Sequence, residues 1–207
     1  TRDSRLGYVN AKRNLFPGLG TPPPVGYFSV GGAPQDPDVR AELHAALREA
    51  RFIAVRDSKS HAELQRAGFA AGLYPDVVHL LAEYFPKDAL ASLSPTAARF
   101  LHRDRPYLVF QSKAEMLEAW APSAAAEKLI ACARALGCDV VLQPAGVASF
   151  HDTLSSLNAV CEAINKRGAG VAAEVQPDRN VWAQVGVIAG SRCWVGTSLH
   201  GRIVSTA

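Results

Sequence analysis

The sequence predicts an α/β protein of open parallel sheets flanked by helices, arranged in two lobes. Three observations carry this. Short runs of branched and aromatic residues alternate along the chain with amphipathic stretches of helical period, the pattern of consecutive βαβ units. The alternation is interrupted near Pro86, Pro95 and Pro106, as in a connection between lobes. At 207 residues and 48% hydrophobic content the chain is long enough to bury a sizeable core in one large domain or two small ones. The expected organisation is a partial N-terminal lobe over 1–90, a connection over 91–106 and an incomplete C-terminal lobe over 107–207.

Each element has its own signal. Residues 1–24, rich in Gly, Pro and Arg and ending in Pro22-Pro23-Pro24, read as an irregular lead-in. A strand at 26–30 is closed by Gly31-Gly32, after which Asp36 caps and Pro37 starts a helix with Val39, Leu43, Ala46, Leu47 and Ala50 on one side. Phe52-Ile53-Ala54-Val55 suits a buried strand, and Ser60 with Glu63 forms a capping-box pattern for the next helix. A weaker strand is expected at 77–81, after the turn Tyr74-Pro75-Asp76. The second half is cleaner. Strands at 107–110 and 139–142 flank a helix from about 122 to 136 that Gly137 ends. Leu154, Leu157, Cys161 and Ile164 mark another helical face, 171–175 a strand, Val181, Val185 and Ile188 a helix, and 193–195 the last strand.

That last strand runs into a polar, histidine-bearing helix start. Gly196 ends the strand, Thr197 or Ser198 caps, and Leu199, Ile203 and Val204 begin an apolar face, so His200 falls in the first helical turn with Arg202 nearby. Unsatisfied amides and the positive end of the helix dipole favour a phosphate or carboxylate there. In open parallel sheets, ligands bind outside the carboxyl ends of the strands. The rule selects Arg56 and Asp57 after one strand, then Gln111, Gln143 and His200 after three others, and two lobes would let Arg56 face His200.

Several function classes are disfavoured. A formal charge of +3, from 22 basic and 19 acidic residues scattered along the chain, does not suit nucleic acid. No run approaches the roughly 20 apolar residues of a membrane span. Cys132, Cys138, Cys161 and Cys193 form no CxxC pair, which favours reduced, buried thiols and a cytoplasmic setting. His102-Arg103-Asp104 lacks the downstream asparagine and the glycine-rich loop of a kinase. The other histidines, His151 among them, lack zinc spacing and read as surface or capping residues, Asp76 reads as a turn former, and Trp182 and Trp194 read as core. The start at Thr1 and the stop at Ala207 in mid-pattern read as a fragment cut at both ends.

The segment Val55-Arg56-Asp57-Ser58-Lys59-Ser60, then Gly68 and Pro75-Asp76, and at a distance Gly196-Thr197-Ser198-Leu199-His200-Gly201, together resemble the polysaccharide pyruvyl transferases over roughly residues 25–207. The resemblance implies two Rossmann-like lobes around a cleft, as in B-type glycosyltransferases. It implies transfer of the pyruvyl group of phosphoenolpyruvate to hydroxyls of a sugar in a cell-surface polysaccharide or its lipid-linked precursor, forming a ketal. No metal or organic cofactor is strictly implied. The setting would be cytoplasmic, in contact with the inner face of the membrane through the acceptor; the oligomeric state is left open. The donor carries a phosphate and a carboxylate, so its site needs at least two cationic or amide-rich subsites. Matched to the family's motif, the catalytic candidates are His200, Arg56 and Asp57, with substrate contacts expected at Ser198, Leu199, Gly201, Arg202, Gln111 and Gln143. Many members carry an arginine where Ser198 stands, so donor contacts are expected to shift to Arg202 or to residues outside the chain. Two alternatives stand beside this reading: a sugar-nucleotide glycosyltransferase on the same architecture, and a non-catalytic sugar- or anion-binding protein derived from the fold.

Overall fold

A computed structural model describes residues 25–31, 36–146 and 153–207; the lead-in over 1–24, Gly32 and His151 lie outside the described residues. The chain divides into two compact units, Thr1–Val77 and Val78–Ala207. Each carries its own parallel sheet.

The first unit runs β1 (Val25–Val30), α1 (Pro37–Arg48), β2 (Ala50–Val55), α2 (Ser58–Arg66) and β3 (Ala71–Leu73), with its strands in the order β1-β2-β3. Asp36 caps α1 as its position before Pro37 predicts, accepting the amides of Asp38 at 2.9 Å and Val39 at 3.3 Å. Leu47, Ile53, Val55 and Leu64 form the core between helices and sheet. Two expectations are corrected. The cap of α2 is Asp57 rather than Ser60, because the aspartate stands at the extended residue before the helix and takes the Ser60 amide at 2.8 Å. The third strand is Ala71–Leu73 rather than 77–81, where the chain forms a 3₁₀ turn, Val77–Leu80, and the short helix α3, Leu81–Tyr84. The unbroken apolar run Val77-Val78 and Leu80-Leu81 around His79 has no period that separates helix from strand, and a strand as small as Ala-Gly-Leu gives almost no signal.

The second unit includes α3 and continues with α4 (Lys87–Leu93), α5 (Pro95–Leu101), β4 (Tyr107–Gln111), α6 (Ala114–Glu118), α7 (Pro122–Leu136), β5 (Asp139–Leu142), α8 (Leu154–Arg167), β6 (Ala173–Val175), α9 (Val181–Ala189), β7 (Cys193–Gly196) and α10 (Leu199–Thr206). Its strand order is β6-β5-β4-β7, a Rossmann-like arrangement. Two of the prolines in this stretch begin helices, Pro86 as the residue before α4 and Pro95 opening α5 behind the cap Ser94, while Pro106 precedes β4. That helix packs on α9 so closely that a Cβ on Gly186 would collide with Ala97.

Both faces of the second sheet are covered, so successive strand residues point into different cores. Leu108, Val140 and Leu142 pack with Leu129, Leu157 and Ile164, whereas Val109 and Val141 pack with Phe100, Tyr107 and Val187. Arg103 binds the buried Asp139, the first residue of β5, at 3.2 Å and Glu174 within β6, which gives the arginine of the His102-Arg103-Asp104 string a structural use. All four cysteines are free; Cys138 is buried, as expected, while Cys132, Cys161 and Cys193 are half-buried. Among the described residues no helix is long and apolar enough to cross a membrane.

Candidate functional site

In the second unit β5 and β6 extend the sheet to one side of β4 and β7 pairs on the other. Connections leaving β4 and β7 therefore diverge at their carboxyl ends, which is where an open α/β sheet forms its ligand crevice. Gln111, the last residue of β4, pairs in register with Gly196, the last of β7. The Gln111 side-chain carbonyl accepts the backbone amides of Thr197 and Ser198, each at 2.9 Å. Ser198 then caps α10, its hydroxyl accepting the Gly201 amide at 3.2 Å. His200 follows as the second residue of that helix and is exposed. The indole of Trp194 lies under this turn. A Cβ on Gly201 would run into the indole ring, and one on Gly196 would come within 2.7 Å of the Gln111 backbone oxygen. Glycine at both positions lets helix and strand close on the tryptophan.

A cavity of about 390 Å³ opens at this crevice. Of the residues selected from sequence it gathers Gln111, Gln143, Ser198, His200 and Gly201; Leu199 and Arg202 are exposed on α10 and do not line it. Aliphatic side chains including Val181, Val185, Ile188 and Val204, with Trp194, supply most of the wall. Sequence reasoning missed Arg179 and Gln184, which also line it. Both follow β6, Arg179 in the loop before α9 and Gln184 within that helix, and the strand-end rule was applied to other strands but not to this one. The Thr197 and Ser198 amides are held by Gln111, and among the described residues the basic side chains that line this cavity are His200 and Arg179.

Gln143 is nearly inaccessible, at 2% exposure. Its amide nitrogen donates to the Gln184 backbone oxygen at 3.1 Å and to the Gln184 side-chain oxygen. The Gln184 amide nitrogen is directed instead to the Asp178 carbonyl at 2.6 Å, which fixes the orientation of both amides. Gln143 Oε1 is left with no hydrogen-bond partner among the described residues.

In the first unit, Arg56 and Asp57 stand at the carboxyl end of β2, as the same rule requires. Arg56 pairs with the buried Asp76 at 2.7 Å. Asp57 also accepts the Ser60 hydroxyl at 2.7 Å. Its partial burial pushes the carboxyl pKa upward, but the hydrogen bonds from Ser60 and the charge of Arg56 outweigh this and hold it below the ordinary value.

The family model for polysaccharide pyruvyl transferases matches residues 24–207, taking in both strand-end clusters. The chain belongs to that family. No curated protein matches it. Membership of the polysaccharide pyruvyl transferases gives the two motifs a common frame, since the match includes the arginine–aspartate segment of the first unit and the Leu199-His200-Gly201 turn of the second.

Proposed function

We propose that the protein transfers the pyruvyl group of phosphoenolpyruvate to two hydroxyls of a sugar in a polysaccharide or its lipid-linked precursor, forming a ketal. The observation that carries this reading is His200, held at the start of α10 beside a cavity at the β4–β7 crevice, in a chain of the pyruvyl transferase family. A proton adds to the methylene carbon of phosphoenolpyruvate, converting it to a methyl group, and positive charge develops at the neighbouring carbon. One sugar oxygen attacks that carbon and loses its proton; phosphate departs with the C–O bonding pair, and a second sugar oxygen attacks and loses its proton in turn. The sum is one phosphate released for each ketal formed.

His200 is the general acid or the phosphate contact in this scheme, a role in which a positioned group contributes about 10²- to 10⁴-fold. Arg179 supplies a second cation toward the donor's other anionic group. It takes the place the sequence reading gave to Arg202, and offsets the family arginine that Ser198 replaces. Arg56 is a candidate donor-binding cation of the first unit and is judged by its own variant. No metal or organic cofactor enters the scheme. A lipid-linked acceptor would be met at the inner face of the membrane.

The test is phosphate release from phosphoenolpyruvate, measured with and without saccharide acceptors, together with mass analysis of the product. Acceptor-dependent release with a pyruvyl ketal in the product is the expected outcome, and His200→Ala lowers the rate by about a hundredfold or more while melting normally. Release that ignores the acceptor, or a fully active His200→Ala variant, would overturn the assignment.

A further inference from the structure

We infer that the Gln143 end of the cavity binds the acceptor sugar, with Gln143 Oε1 accepting a hydrogen bond from one of its hydroxyls; the inference rests on the reaction proposed above. A buried carbonyl oxygen without a partner costs free energy that a bound donor recovers. Oε1 is such an oxygen, and Gln143 lines the cavity. Its amide nitrogen is tied to Gln184, so the side chain presents an acceptor, not a donor.

The chemistry of the two substrates then sorts them. Fully ionised phosphoenolpyruvate carries acceptor oxygens only, on phosphate and on carboxylate, and so has nothing to give to Oε1. A sugar hydroxyl does. The basic groups that line the cavity, Arg179 and His200, are the ones that suit the anionic donor, while Trp194, Val185 and Ile188 offer the apolar surface that the C–H face of a pyranose covers. One cavity thus provides two chemically distinct subsites. Gln143 is on this argument a specificity residue for the acceptor and takes no proton in the reaction.

The experiment uses the whole chain at pH 8. Phosphoenolpyruvate binding is followed by titration calorimetry. A panel of methyl hexosides and methyl N-acetylhexosaminides is followed by saturation-transfer NMR, and the best binder is then remade with each hydroxyl replaced in turn by hydrogen and by fluorine. The expected result is one position at which both replacements weaken binding about tenfold, since fluorine cannot donate. In Gln143→Met that penalty disappears, because the oxygen it reports on is gone, while phosphoenolpyruvate affinity stays within about twofold of wild type. Gln184→Met, which keeps the Gln184 backbone oxygen that holds the Gln143 amide nitrogen at 3.1 Å, retains the penalty.

A glycoside for which fluorine serves as well as hydroxyl at every position overturns the inference, and so does a penalty that survives Gln143→Met; in either case water satisfies Oε1. Equal loss of donor and glycoside in Gln143→Met overturns it too. The deoxy and fluoro series on wild-type protein decides the matter even where Gln143→Met does not fold. Binding of no glycoside at all overturns the inference, whereas glycoside binding without phosphoenolpyruvate binding overturns the proposed reaction and leaves the sugar contact standing.

Discussion

The side-chain carbonyl of Gln111 accepts the backbone amide of Ser198 at 2.9 Å, joining the end of β4 to the turn that presents His200. The same oxygen takes the Thr197 amide, so a single buried side chain satisfies two main-chain donors of the β7–α10 turn. Gln111→Leu leaves both amides without this acceptor at a cost of about 1–3 kcal/mol each where water does not replace it. We expect a lower unfolding midpoint in urea at unchanged slope, and a loss of transfer activity larger than the stability loss explains, because His200 is carried on that turn. Gln111→Glu keeps an acceptor oxygen and retains most of both. Wild-type stability in Gln111→Leu would show that the turn holds itself.

Much of this arrangement was legible in the sequence where the signals are local. Helix α7 begins at Pro122 and stops at Gly137, whose positive φ of 62° is the conformation a helix-ending glycine supplies, and both limits are read from residue type alone. The β7–α10 junction was legible for the same reason, with the apolar strand, the serine cap and the glycine all in sequence. Gln111 was selected as a strand-end residue, but its work was hidden because its partners lie 86 and 87 residues away. Arg179 escaped because an arginine in a polar loop looks like any exposed cation until the sheet order brings that loop to the crevice. Residues 77–81 misled because an apolar run without period says only that the segment is buried or half-buried somewhere.

Arg56 and Asp76 form a pair in which the carboxylate is buried and the guanidinium is about one quarter exposed, at 27%. Removing the cation leaves a desolvated carboxylate, the costly way to break such a pair, at about 3 kcal/mol. Arg56→Ala is therefore expected to melt well below wild type, and Arg56→Ala combined with Asp76→Ala to recover part of the loss. Donor binding is separated from this by calorimetry on folded protein below the melting range. Weaker phosphoenolpyruvate binding in Arg56→Ala assigns the arginine to the donor; equal affinity confines it to holding the Pro75-Asp76 turn.

Gly201 is buried against the Trp194 indole, with its amide already bonded to Ser198. A methyl group there cannot be accommodated without moving the ring, and overpacking of this kind costs about 1–3 kcal/mol. Gly201→Ala should lower the melting temperature and shift Trp194 emission, read in a background where Trp120 and Trp182 are replaced by phenylalanine. Because Trp194 lines the cavity, the Michaelis constants are expected to rise as well. An unperturbed emission spectrum together with wild-type stability would mean that the helix start yields without disturbing the indole.

Asp57 links acid stability to the start of α2. Partial burial opposes its ionisation, but the Ser60 hydrogen bonds and Arg56 prevail, so its folded pKa lies below the value in the unfolded chain. A depressed carboxylate pKa stabilises the folded state above the unfolded pKa, and the contribution is lost as pH falls through the folded pKa. Replacing the cap by alanine costs about 1 kcal/mol at neutral pH. Asp57→Ala should therefore unfold more easily than wild type near pH 7, and the gap should narrow as the pH drops below about 4, the range in which an ordinary aspartate protonates. Asp57→Asn keeps a capping oxygen without the charge, so it should sit between the two at pH 7 and lack the part of the acid dependence that Asp57 carries. Urea unfolding across pH 3 to 7 measures all three; parallel curves for wild type and Asp57→Ala would remove the carboxylate from the account of acid stability.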